Sequence, residues 1–119
     1  MKRKLPFTHI RVAAFDFKIV EWTADKGKAE GKFAEFSSIQ GCISIDVERP
    51  YKIVDSLVHE LVHAIIWAYG YSTPDESLPE ECFASMVSTG MVQVLRDNPL
   101  FHTYLNDKIK RMREGRGLR

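Results

Sequence analysis

The stretch from Tyr51 to Tyr69 constrains this chain more than any other. Ile53, Val54, Leu57, Val58, Leu61, Ile65 and Ala68 recur at steps of three and four. That period predicts a helix with a wide apolar face, which other elements must cover. Pro50 suits its first position and Gly70 the residue just past its end. Inside this apolar run stand His59-Glu60-Leu61-Val62-His63. Burying histidine and glutamate side chains is costly unless they bind something. His59 and His63, four apart, fall one turn above each other on one face. Two imidazoles so placed can both reach one zinc ion. Glu60 sits one step round, where it can take the proton of a water that the metal polarises. The spacing H-E-x-x-H on a helix therefore marks His59 and His63 as metal ligands and Glu60 as a general base.

The other elements must supply a core for that helix. The chain has 119 residues, enough for one domain with a real core and no staple. The whole span 1–119 is read as that single domain, with a basic tail from about 108. Phe15, Phe17 and Ile19 alternate with Asp16 and Lys18, so at least one strand lies within 10–22. Residues 23–32 are polar with two glycines and read as a turn or surface loop. Residues 33–38 are ambiguous, and Cys42 to Asp46 alternates as a short strand. A second helix is expected from about Pro79 to Leu95 and a third from about Leu100 to Met112. The fold class expected is α+β: a small N-terminal sheet packed on the H-E-x-x-H helix and two further helices.

Charge and cysteine usage narrow the setting. The formal net charge of +1 does not mark a globally basic binder. Cys42 and Cys82 form no C-x-x-C pair and no disulfide framework, which fits a reducing compartment. The start Met1-Lys2-Arg3-Lys4 is not followed by an apolar run, so no signal peptide is read there. No apolar stretch is long enough to span a bilayer. The expectation is a soluble, cytoplasmic protein without a membrane partner.

A catalytic zinc needs a third protein ligand and one open position. Glu80 and Glu81, near the start of the second helix, are the candidates. Ser77-Leu78-Pro79-Glu80 has the form of a capping box, which gives Glu80 a structural task. Glu81 is followed by the small residues Ala84, Ser85 and Ser88 on its own face, a stripe that would let two helices approach closely. On a helical wheel Glu80 lies nearer the centre of Phe83, Val87 and Met91. Glu81 is the preferred ligand, with Glu80 as the alternative. His102 is a less favoured third ligand, since its place depends on the turn at Asn98-Pro99, and both His9 and His102 read first as surface or satisfied histidines. Asp55, four before His59, either orients an imidazole or is an exposed first-turn acid.

Taken together these residues resemble the gluzincin metallopeptidases. The features carrying the resemblance are His59-Glu60-Leu61-Val62-His63 and Glu81 with Ala84, Ser85 and Ser88 at +3, +4 and +7. More narrowly, His59 to Ile65, the Glu80-Glu81 pair, Gly90-Met91 and Leu95-Arg96-Asp97-Asn98-Pro99 look like short phage and prophage proteins related to the ImmA/IrrE and SprT-like metallopeptidases. The resemblance implies a minimal zincin fold, zinc held by His59, His63 and Glu81, and Glu60 as general base. It also implies an edge strand, expected at Cys42 to Asp46, that holds an extended peptide substrate by backbone pairing.

Two further expectations concern partners and chemistry. Lys108, Lys110, Arg111, Arg113, Arg116 and Arg119 make the C-terminus basic, a charge pattern able to contact nucleic acid phosphates. Spacing identifies no residue for stabilising an oxyanion, and the candidates Tyr69, Tyr71 and Tyr104 read equally well as core or rim aromatics. The function expected is a zinc-dependent metallopeptidase acting on a protein substrate. The alternative is a metal-binding phage or prophage interaction module, DNA-associated or not, that docks without cutting.

Overall fold

Alternating apolar and polar residues build a four-stranded sheet. Its strands are β1 (His9–Val12), β2 (Phe15–Trp22), β3 (Ala34–Ser37) and β4 (Cys42–Asp46), in the order β1-β2-β4-β3. The computed structural model describes residues 2–69 and 80–115. β1 and β2 form an antiparallel hairpin in which Ile10 faces Phe17. β2 and β4 run parallel, Lys18 opposite Cys42 and Trp22 opposite Asp46. β3 closes the sheet antiparallel to β4, Phe36 opposite Ile43. β4 is therefore an interior strand, buried along its whole length, and not the edge expected from the resemblance. The edge beside the H-E-x-x-H helix is β3, the stretch the sequence left ambiguous.

Residues 24–30 form a helix, α1 (Ala24–Glu30), where a loop was expected. Local caps make it. The Thr23 hydroxyl accepts from the Lys26 amide at 3.1 Å, and Gly31 ends the helix in the left-handed region at φ 71°. Lys26 and Glu30 pair across one turn at 2.8 Å. Gly27 lies inside this helix because its Cβ would meet the Arg49 guanidinium at 2.6 Å. Arg49 in turn pairs with the fully buried Asp46 and stacks 4.0 Å above Phe33. This knot fastens α1 to the end of β4.

After one 3₁₀ turn at Pro50–Lys52, α2 (Ile53–Ala68) runs back under the sheet. Ile53, Leu57, Leu61, Ala64 and Ile65 are its buried stripe, at the spacing the sequence predicts. They pack against Phe17, Ile19, Ile43 and Ile45 of the sheet and against α3 (Glu80–Asp97). α4 (Pro99–Arg113) completes the core with Phe101 and Leu105, and Phe7 meets Phe101 edge-on at 5.5 Å. The α+β class is as expected, with one helix more than foreseen. No helix among the described residues is long and apolar enough to cross a membrane.

The face of α3 that packs differs from the one expected. Met86, Gly90, Gln93 and Val94 are buried, whereas Ala84, Ser85 and Ser88 are exposed. The close approach to α2 is made at Gly90, where a Cβ would overlap Ile65. Two polar side chains seal the other edge of the sheet. Gln93 accepts from the Ala13 amide at 2.8 Å and donates to the Arg11 carbonyl at 3.1 Å. Asn98 takes both the Arg11 amide, at 2.7 Å, and the Arg11 carbonyl, at 2.8 Å. The amides substitute for a neighbouring strand.

Candidate metal centre

Periodicity on α2 sorts its residues into a buried stripe and a face that leaves the core beside β3. His59, Glu60 and His63 lie on that second face. The imidazoles of His59 and His63 stand edge-to-face with centroids 4.9 Å apart. One donor atom from each histidine and one carboxylate oxygen of Glu60 all lie within 4.8 Å of one another. That spread is about the span of two bonds of about 2 Å to a shared zinc ion. Both histidines are exposed, His59 with 67% of its side chain accessible, so an ion can reach them. Two imidazoles are donors that zinc accepts, so His59 and His63 fit two positions of such a site, with the Glu60 carboxylate beside them.

Glu60 is held differently. Only 14% of its side chain is accessible. Its Oε1 accepts a hydrogen bond from the Phe36 amide of β3 at 2.8 Å, and its Oε2 lies 3.8 Å from His59 Nε2. The strand explains why that amide is free to donate. Asp46 donates to the Phe33 carbonyl at 2.8 Å, so residues 33, 35 and 37 turn their backbone groups toward β4. Residues 34, 36 and 38 then turn theirs outward, and Phe36 meets α2. One carboxylate oxygen is thus anchored on the sheet and the other turns toward the histidines. Lys32 stands nearby with its ammonium pKa raised, first by the bond to Glu35 at 2.9 Å and least by Glu60.

The structure does not bring every expected residue here. Glu80 and Glu81 occupy the first turn of α3, both exposed, and neither belongs to the His59-Glu60-His63 group. Ser77, whose capping box was to occupy Glu80, lies outside the described residues, as do Tyr71 and Gly70. Asp55 is an exposed first-turn acid 3.7 Å from Lys52 rather than an orienting partner of His59. His9 is exposed and bonded to Thr8 at 3.0 Å, and His102 is exposed on α4. Tyr104 packs edge-on to Phe7 at 5.5 Å, in the core of the opposite side. Tyr69 ends α2 beside Ser85 and Thr89 of α3. Lys108 to Arg113 of the basic stretch are helical, in the last turns of α4, with Arg111 paired to Asp107 at 3.1 Å. Residues 116–119 lie outside the described residues.

Two participants escaped sequence reasoning. The Phe36 amide was invisible because a backbone group leaves no residue signature, and the four residues of β3 are too few for alternation to mark the strand. Trp67 was not singled out within the apolar helix, yet it follows His63 by one turn. No family model matches the chain, and no curated protein and no solved structure matches it either.

Proposed function

We propose that this chain is a zinc-dependent metallopeptidase that hydrolyses peptide bonds of a protein substrate. The observation that carries the reading is the divided role of Glu60. Its Oε1 is fixed by the Phe36 amide while its Oε2 faces the histidine pair. A general base must be held within hydrogen-bond reach of the proton it takes, and a carboxylate anchored on one oxygen presents the other in one orientation. His59 and His63 would hold the metal, with a third ligand from the first turn of α3, where Glu81 is preferred and Glu80 is the alternative. When bound, zinc supplies a Lewis acid that polarises the substrate carbonyl and acidifies water. Glu60 takes the proton at Oε2 and passes it to the departing amine.

The test is zinc per chain followed by peptide hydrolysis. Wild type should bind about one zinc and His63→Ala none. Glu60→Gln should keep the metal and lose hydrolysis by about 10²–10⁴-fold. Wild type without zinc after reconstitution would overturn the reading.

One observation favours the second reading, a phage or prophage interaction module that binds metal without cutting. Neither Glu80 nor Glu81 joins the histidines among the described residues. In that case Glu60→Gln leaves biological activity intact.

A further inference from the structure

We infer that the substrate carries a large apolar residue beside the bond that is cut, seated on a wall of aromatic rings at the C-terminal end of α2. This rests on the peptidase reading above. The wall begins one turn past His63 on the same helix face, at Trp67. The Trp67 ring meets Phe15 at 4.9 Å, Phe17 at 5.9 Å and Phe36 at 6.2 Å, centroid to centroid. Phe17 is buried and backs the group, meeting Phe36 edge-on at 5.2 Å. Phe15, at 42% exposure, opens the group to solvent.

Phe36 joins the wall to the chemistry. Its amide holds Glu60 and its ring belongs to the wall. A peptide whose carbonyl lies at the histidines therefore passes its neighbouring side chain across these rings. The register pairs Lys18 with Cys42, which puts both the β1–β2 turn and the β3–β4 turn at this end of the sheet. Ile39, in the second of these turns, is 97% exposed and adds apolar surface at the same end. The opposite end of β3 is mixed, with ion pairs Lys32–Glu35 and Lys52–Asp55 beside the Phe33–Tyr51 ring pair. The rings and Ile39 at the Trp67 end carry no such charges, and a side chain rich in carbon is favoured there. A closed hydrophobic pocket discriminates about 10–200-fold per methylene, and an open wall of this kind falls toward the lower end.

The experiment is digestion of a proteome-derived peptide library by the zinc-loaded protein, with cut sites read by mass spectrometry. Phe, Tyr, Trp, Leu and Met should be enriched about tenfold or more at one position flanking the cut. Phe15→Lys, a surface change, and Trp67→Leu, checked for fold by circular dichroism, should each reduce that enrichment, and Phe15→Lys should raise acidic residues there. Cutting without apolar preference, or a preference unchanged in both variants, overturns this inference and leaves the peptidase reading standing. A zinc-loaded wild type that cuts no peptide overturns both.

Discussion

Glu60 and Gly90 show how single positions carry this structure. The clustering of Glu60 with His59 and His63 was legible, because a spacing of four on a helix is fixed by helix geometry. What anchors it was not legible, since the donor is a backbone amide of a strand that the sequence left undecided. Gly90 shows the reverse. Small residues at 84, 85 and 88 suggested a close helix contact, but the contact was at a glycine one turn on, because the phase of α3 depends on which face the sheet leaves open. Gly90→Ala should destabilise the fold. Overpacking against Ile65 costs about 1–3 kcal/mol, more than the helix preference of alanine over glycine of about 1 kcal/mol. A double-mutant cycle with Ile65→Ala, measured by denaturant unfolding, should give a non-additive coupling. Burial pushes the Tyr104 phenol up to about 12, with Glu21 and Asp107 adding to it. An unfolded tyrosine ionises near about 10, so the folded form keeps its proton longer. Stability is then full below pH of about 10 and is lost as pH rises toward 12, by about 1 kcal/mol after solvent screening. Tyr104→Phe should flatten that part of an unfolding-against-pH profile.

Among the elements, legibility followed the strength of the apolar period. α2 carries five buried residues at helical spacing and was read nearly to its ends. α1 buries only Gly27, so it has no apolar stripe to read, and it exists through its caps and the pocket under Arg49. β3 has four residues, with only Ala34 buried, too short a sample for alternation to decide. The polar seals of β1 were likewise silent, because glutamine and asparagine on a helix look solvated until the strand beside them is known. Asn98→Ala should leave the Arg11 amide without its side-chain partner, while Gln93 still donates to the Arg11 carbonyl. The bonds are exposed, so the expected loss is about 0.5–1.5 kcal/mol in thermal unfolding, and the Arg11 amide should exchange faster with solvent. Asn98→Asp keeps the acceptor alone and should fall between the two.

At the scale of the whole molecule, the sheet has two outer edges and the chain closes each with side chains. Gln93 and Asn98 occupy the β1 edge, and Glu60 occupies the β3 edge at Phe36. The residue proposed to move protons is thus also a guard against strand addition by a second molecule. The two tasks separate by substitution. Glu60→Gln retains an oxygen that can accept from Phe36 and should stay monomeric in light scattering. Glu60→Ala removes the acceptor and bares an unpaired strand edge beside the apolar rings of Phe15 and Trp67, and should self-associate as concentration rises. An inactive control made with alanine would then report on stickiness as well as on chemistry.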